Sequence, residues 1–210
     1  MSVEAEPVRK PEDAPLVEAM LHLLDGKTGQ QVTLGEFVDG MGSRGFGFVL
    51  IVFGLLAAIS LPGVGSLMGG PLILFALQLM GGLKRPWVPG FLARRSISAD
   101  NAKKTIERGH RWLKKIEIFA KPRVSWLTEG LIQRLVGLFC LLLSAVILMP
   151  GPFTNNPPGM AITLLGFALA ERDGILMLIA LAASVVAFVL GLSAFIAVAI
   201  ALWVWASGYF

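Results

Sequence analysis

Residues 46–83 decide the fold class of this chain, and they read FGFVLIVFGLLAAISLPGVGSLMGGPLILFALQLMGGL. The stretch holds 38 residues and no charge, which is typical of a membrane protein but too long for one span of about 20 residues. Leu61-Pro62-Gly63 and Gly69-Gly70-Pro71 interrupt it, and glycine next to proline marks a turn. We therefore predict a helical hairpin whose turn is shaped by Pro62, Gly63, Gly70 and Pro71.

The two arms of this hairpin, residues 46–61 and 71–83, are short for a membrane. At 1.5 Å per residue they reach about 24 and about 20 Å, against about 30 Å of hydrocarbon. A re-entrant hairpin that turns inside the bilayer fits these lengths. A hairpin whose turn reaches the far interface is an equally good interpretation of these lengths.

A second uncharged block, residues 135–170, has the same layout. Its turn contains Pro150-Gly151 and Asn156-Pro157-Pro158. Pro62 corresponds to Pro150 at an offset of 88 residues, and Pro71 to Pro158 at an offset of 87. This correspondence predicts an internal repeat of two broken-helix hairpins, with turn residues Pro150, Gly151, Pro157 and Pro158 in the second.

The last block, residues 175–210, contains no proline. It fits either one strongly tilted helix or two arms bent near Gly191-Leu192-Ser193, and we favour two arms. Trp203 and Trp205 are typical of a membrane interface. With 55% apolar residues and a mean hydropathy of +0.74, the chain is expected to be an all-α integral membrane protein. The composition excludes a soluble enzyme, and the single cysteine excludes a disulfide scaffold.

The remaining segments carry the charges. Residues 1–13 are expected to form an acidic tail, Pro15 to Leu24 a short amphipathic helix, and Thr33 with Glu36 a capping box at a second helix. A basic amphipathic helix is expected to begin after Ser98. Residues 84–123 hold 12 basic and 3 acidic residues, so this connector and the N-terminus are predicted to be cytoplasmic. The resulting segments are residues 1–32, 33–89, 90–123, 124–174 and 175–210.

No catalytic constellation is visible in the sequence. His22 and His110 lack a metal-binding pattern, and the carboxylates of Glu171 and Asp173, two residues apart, would diverge on a helix. We therefore expect no enzyme activity, no metal, no cofactor and no nucleic-acid partner. Membrane lipid is the expected environment.

Paired broken helices are the sharper signal. In secondary transporters the ends of such half-helices meet near the midplane and hold a substrate or an ion. Polar residues at the turns and charges at the arm ends would then line the pathway, although the asparagines also suit a simple turn. The candidate pathway residues are Arg44, Ser66, Gln78, Arg134, Thr154, Asn155, Asn156, Glu171, Arg172 and Asp173.

A homodimer is predicted because four short arms give one copy little surface with which to enclose two turns. Gly65 and Gly69, and Ala187 and Gly191, have the spacing that allows close helix packing.

The chain resembles the ExoD family in several segments taken together. They are Arg85-Pro86-Trp87-Val88-Pro89, Pro152-Phe153-Thr154-Asn155 and Glu171-Arg172-Asp173-Gly174, with Thr33-Leu34-Gly35-Glu36, Arg44-Gly45-Phe46-Gly47 and Gly70-Pro71-Leu72. The resemblance implies a multi-pass protein of the bacterial cytoplasmic membrane that influences exopolysaccharide synthesis. It supplies no catalytic mechanism. We expect a small transporter or channel-like protein for an ion, a small solute or a lipid-linked precursor; the alternative is a scaffold that organises polysaccharide synthesis enzymes.

Overall fold

The computed structural model describes residues 16–27, 29–59, 64–100, 103–104, 128, 130–149 and 154–207. The chain divides into two compact units, residues 1–42 with 88–119 and residues 43–87 with 120–210. Pro62, Gly63, Pro150 and Gly151 lie outside the described residues, as does most of the predicted basic helix.

The described elements, in chain order, are α1 (Leu16–Leu24), β1 (Gln31–Thr33), α2 (Leu34–Met41), a 3₁₀ turn (Gly42–Arg44), α3 (Gly45–Ile59), α4 (Val64–Leu67), α5 (Gly69–Met80), α6 (Gly90–Ala93), β2 (Ser96–Ser98), α7 (Leu131–Leu148), α8 (Asn156–Ala170) and α9 (Gly174–Ser207).

The first unit contains the short helices that the sequence predicts outside the apolar blocks. The helix expected from Pro15 to Leu24 is α1, and the capping box before α2 is confirmed because Thr33 Oγ1 accepts from the backbone N–H of Glu36 at 3.2 Å. Residues 99 and 100 are helical directly after Ser98, as expected. The all-α expectation needs one correction, since β1 and β2 pair antiparallel with Val32 opposite Ile97. Strands of three residues are too short to give a periodic signal in the sequence.

The second unit contains both hairpins. Helix α3 and α5 form the arms of the first hairpin, with α4 at its turn, and α7 and α8 form the arms of the second. Pro71 lies in the first turn of α5 and Pro158 in the first turn of α8, where the missing N–H costs no hydrogen bond. The aromatic rings of Phe53 and Phe75 pack at 5.7 Å between the arms of the first hairpin.

Helices of different hairpins pack closely through glycine. Helix α3 runs antiparallel to α8, with Gly47 beside Gly166 and Ala170, and Gly54 beside Gly159. A Cβ atom on Gly47 would lie 2.7 Å from the Gly166 carbonyl oxygen, so no larger residue fits without moving a backbone. In lipid, such close approach supplies the packing that holds helices together.

Helix α5 packs against α7 in the same way. A Cβ atom on Gly69 would lie 3.1 Å from the Ser144 carbonyl oxygen, and one on Gly137 would lie 2.9 Å from the Ala76 carbonyl oxygen. The first arm of each hairpin therefore packs against the second arm of the other.

The last apolar block forms one unbroken helix, α9, of 34 residues. The preference for two arms was wrong, because Gly191 serves close packing instead of a bend. A Cβ atom there would lie 2.7 Å from Val146 Cγ1 and 3.1 Å from Pro158 Cγ. The residues buried along α9 end at Gly191: they are Gly174, Met177, Ala180, Ser184, Ala187 and Gly191.

Three helical segments among the described residues have the length and apolar composition needed to cross a membrane: Leu34–Ile59, Leu131–Leu148 and Gly174–Ser207. Gly65–Met80 is apolar but shorter. The small residues that suggested dimer packing contact other helices of the same chain, Gly69 against α7 and Gly191 against α7 and α8. The homodimer prediction therefore no longer rests on them.

Candidate functional site

The turns of the two hairpins touch through three polar residues, Ser66, Thr154 and Asn155, which we call the turn cluster. Ser66 belongs to α4, and Thr154 and Asn155 directly precede α8. Thr154 is fully buried and Asn155 is 9% exposed, while Ser66 is half-buried. Three of the predicted pathway residues are therefore brought together from positions far apart in the sequence.

The amide of Asn155 is the centre of this cluster. Both amide atoms find suitable hydrogen-bond partners in one orientation of this side chain. Nδ2 then donates to the Ile147 carbonyl oxygen at 3.0 Å, and Oδ1 accepts from the backbone N–H of Ser66 at 3.2 Å. In that orientation Nδ2 also donates to Thr154 Oγ1 at 3.2 Å. The amide atom that faces Ser66 lies 3.3 Å from Ser66 Oγ. One side chain thus joins the end of α7 to the turn of the other hairpin.

Backbone carbonyls at the end of α7 complete the turn cluster. Thr154 Oγ1 donates to the Met149 carbonyl oxygen at 3.4 Å, so Ile147 and Met149 both take part through their main chains. Sequence reasoning missed these two residues because an apolar side chain gives no sign of what its carbonyl does. The last carbonyls of any helix lack a partner within the helix, which is the signal that could have pointed to them.

The buried polar groups here are fully paired. Every buried side-chain nitrogen and oxygen in the described part of the chain has a hydrogen-bond partner. Thr163, near the turn, donates from Oγ1 to the Gly159 carbonyl oxygen of its own helix at 2.8 Å. The polar atoms of the turn cluster are therefore joined to one another and to main-chain carbonyls at the end of α7.

Asn156 and Gln78 lie apart from the turn cluster. Asn156 is the exposed first residue of α8. Gln78, near the other end of α5, donates from Nε2 to the Trp87 carbonyl oxygen at 3.0 Å and accepts at Oε1 from the Trp87 N–H at 2.7 Å. This pair of bonds fixes the chain as it leaves the first hairpin.

The predicted charged residues lie at the opposite ends of the helices, and we call them the basal charges: Arg44, Arg134, Glu171, Arg172 and Asp173. Along α7, Arg134 and Leu148 are 14 residues apart, or about 21 Å at 1.5 Å per residue. The structure therefore separates the predicted pathway residues into a turn cluster and a distant basal set.

Asp173 and Arg172 shape the connection into α9. Asp173 Oδ1 accepts from the N–H groups of Ile175 at 2.9 Å and Leu176 at 3.1 Å, which makes this buried residue the N-cap of α9. Arg172 has φ of 52° and donates from Nη2 to Ser43 Oγ at 3.1 Å. A carboxylate at a helix N-terminus also stabilises the helix dipole, so Asp173 has a structural duty here.

Among the described residues, no three histidine, cysteine, aspartate or glutamate side chains are placed to hold a metal ion.

Comparison with known proteins identifies the family of this chain. The family model described as "Exopolysaccharide synthesis, ExoD" matches residues 16–202. The chain belongs to the ExoD family. It is 30% identical over 169 residues to Protein ExoD of Rhizobium meliloti, covering 77% of this chain and 70% of that protein. It is also 30% identical over 151 residues to an uncharacterized protein of Synechocystis, covering 70% of this chain and 71% of the relative. No solved structure gives a significant match.

Membership links the chain to exopolysaccharide synthesis and agrees with its apolar helices. The ExoD match includes both hairpins, the turn cluster and most of α9.

Proposed function

We propose that this ExoD-family protein supports exopolysaccharide synthesis as a small transporter or channel-like protein of the bacterial cytoplasmic membrane. Its cargo would be an ion, a small solute or a lipid-linked precursor, and its pathway would pass the turn cluster. The observation that carries the proposal is the polar contact between two hairpin turns, Asn155 with Ser66. Polar side chains at membrane depth are costly and usually functional.

The length of α9 supports turns that lie near the bilayer midplane. Its 34 residues extend about 51 Å, whereas a bilayer with its headgroups is about 40–45 Å thick. A tilt of about 30–40° reconciles the two lengths and lies within the range of tilts that membrane helices adopt. The centre of α9 then lies at mid-depth, and Gly191, next to that centre, is in contact with Pro158 and near the Thr154 carbonyl oxygen.

A hairpin that crosses the whole bilayer fits α9 poorly. Its turn would reach the far interface, and Leu192 to Ser207, about 24 Å of helix, would extend into water. Ile196, Ile200, Leu202, Trp203 and Val204 are 47–76% exposed, and leaving a large apolar side chain in water forgoes about 1.5–3 kcal/mol. Five such side chains cost on the order of 10 kcal/mol, so lipid around this segment is strongly favoured and the re-entrant arrangement with it.

Each hairpin packs its first arm on the second arm of the other hairpin, and this arrangement supports an internal repeat. Helix α3 packs on α8, and α5 packs on α7, at glycines in both pairs. Two copies of one hairpin related by a two-fold axis would make contacts of this kind. Parallel repeats of this type are common in transporters, with the site at the repeat interface.

With these hydrogen bonds formed, the turn cluster would block passage. Opening would require Asn155 to break its hydrogen bonds to Ser66 and to the Ile147 carbonyl oxygen. These few bonds contribute about 1 kcal/mol each. Such a difference is within the range that ligand binding can supply. Of the basal charges, Arg44, Glu171 and Arg172 would meet the cargo at the membrane surface.

Cysteine accessibility tests this proposal in intact cells. Single cysteines at Ser66 and Thr154, in a Cys140→Ser background, are expected to react with a small charged thiol reagent as the site opens. Leu142→Cys, on an exposed apolar face of α7, is the matched control and should resist the reagent. Failure of both turn cysteines to react from either side of the membrane would refute a water-accessible pathway.

A scaffold is the second candidate function, favoured by the 12 basic residues in residues 84–123. Charge reversal at Lys103, Lys104, Lys114 and Lys115 separates the two candidates. Loss of co-purifying synthesis proteins with unchanged exopolysaccharide precursor flux would favour the scaffold, and the reverse result would favour transport.

A further inference from the structure

An apolar groove with a cationic rim lies where α5 ends and α7 begins. Its volume is about 470 Å³, and the lining residues are Met80, Leu131, Ile132, Arg134, Leu135 and Leu138. Five of the six are apolar, and Arg134 supplies the charge. This groove lies at the basal end of the second unit, away from the turn cluster.

Arg134 at the rim lies next to the glycine turn after α5. Gly82 has φ of 75°, and the place where its Cβ would be lies 3.4 Å from Arg134 Nη2. Gln133, the residue before, donates from Nε2 to the Leu83 carbonyl oxygen at 3.4 Å. The guanidinium therefore lies beside the end of α5, and the chain continues from there into two exposed cations, Lys84 and Arg85.

These three cations have no acidic partner among the described residues. The ion pairs found there join His22 to Glu18 and Asp25, and Lys27 to Glu36. Positive charges beside an exposed apolar surface suit a ligand that carries both an anionic group and an apolar chain. A guanidinium matches a phosphate group by forming two parallel hydrogen bonds.

Exposed leucines continue from the groove toward the middle of α7. Leu131, Leu135, Leu138 and Leu142 are 81%, 41%, 39% and 39% exposed, and their spacing of three or four residues places them on one face of the helix. An acyl chain lying on this face would run from Arg134 into the bilayer. The face thus fits a molecule with a phosphate at one end and a hydrocarbon chain at the other.

We propose that this groove binds one anionic phospholipid, with its phosphate at Arg134, Lys84 and Arg85 and an acyl chain along Leu135, Leu138 and Leu142. Basic pockets between membrane helices on the cytoplasmic side commonly take anionic headgroups. The site is independent of the transport proposal, because it lies about 21 Å along α7 from the turn cluster.

Lipid retention by the purified full-length protein tests this site. The protein is prepared in nanodiscs of phosphatidylcholine with or without phosphatidylglycerol, and bound lipid is counted by native mass spectrometry. We expect one retained phosphatidylglycerol per chain and about tenfold lower retention in Arg134→Gln, the loss expected for a charged hydrogen bond. Arg172→Gln, which removes the same charge at another basal position, should leave retention unchanged.

Three further outcomes test the site and the identity of its ligand. Leu138→Trp, which would fill the groove, should also lower retention while the variant elutes as the wild type in size-exclusion chromatography. Equal retention of phosphatidylglycerol by Arg134→Gln and Arg172→Gln would overturn the site. Preferential retention of a polyprenyl phosphate over phosphatidylglycerol would overturn the phospholipid assignment.

Discussion

Ser66 and Asn155 are 89 residues apart in sequence and hydrogen-bonded across the two hairpin turns. The prolines of the two hairpins correspond at offsets of 87 and 88 residues, so nearly equivalent positions of the two hairpins touch each other. Equivalent positions meet where a two-fold axis passes between two repeats. A contact of this kind is what the proposed repeat would produce, with the turn cluster near its axis.

Asn155→Leu removes this contact at nearly constant size. We expect lower stability, because the Ile147 carbonyl oxygen and the Ser66 N–H lose their partner and a buried unpaired group costs about 1–3 kcal/mol. We also expect loss of exopolysaccharide output in a deletion strain that carries the variant. Asn156→Leu, at the exposed neighbouring position, is the control. Normal output from Asn155→Leu at normal membrane abundance would contradict a role for the turn cluster in function.

Gly159→Ala tests the packing of α3 on α8. Its Cβ would lie 2.7 Å from the Ala58 nitrogen and 2.7 Å from the Gly54 carbonyl oxygen, so the helices must separate. We expect destabilisation of about 1–3 kcal/mol, the usual cost of overpacking, measured as a lower thermal midpoint in detergent.

Gly70→Ala is the matched control for this packing, because nothing lies within 4 Å of the added Cβ. It should match the wild type or exceed it slightly, since alanine is the better helix former. Equal thermal midpoints for Gly159→Ala and Gly70→Ala would show that the glycine contacts do not hold the hairpins together.

Local signals in the sequence predicted much of this fold. The Thr33 cap, the prolines in the first turns of α5 and α8, and the ends of the hairpin arms follow from rules that act within a few residues. The exchange of arms was not predictable, because glycines at positions such as Gly47 show that a helix can approach closely but not which helix it meets. For the same reason Gly191 suggested a bend, whereas its actual partners are Val146 and Pro158.

The turn cluster of the candidate site was predictable from the sequence, but the role of the basal charges was not. Ser66, Thr154 and Asn155 were found because polar residues at an apolar turn are conspicuous. The basal charges were expected to act with these three residues. Their positions are instead explained by where each helix ends its apolar block. Asp173, for example, caps α9 through two backbone N–H groups.

Asp173→Ala tests that structural duty. Loss of an N-cap typically costs about 0.5–2 kcal/mol, so the thermal midpoint should fall. Asp173→Asn keeps a side-chain oxygen that can accept from Ile175 and Leu176, and we expect it to retain most of the stability. Should Asp173→Asn abolish exopolysaccharide output while its thermal midpoint is preserved, the charge of Asp173 would have a role beyond capping.

The depth of α9 in the bilayer decides between re-entrant and fully crossing hairpins. Spin labels at Ile179, Val189 and Ile200, all exposed on α9, can report depth through their collisions with oxygen and with a water-soluble nickel complex. If the hairpin turns lie near the midplane, Val189 is the deepest site, and Ile179 and Ile200 are shallower by similar amounts because each lies 10 or 11 residues away, about 15 Å along the helix. If the hairpins cross completely, the deepest position moves toward Ile179, since the membrane would then end near Gly191, and the nickel complex would collide freely with the label at Ile200. That second profile would contradict a turn cluster at mid-depth and, with it, the transport pathway proposed for this protein.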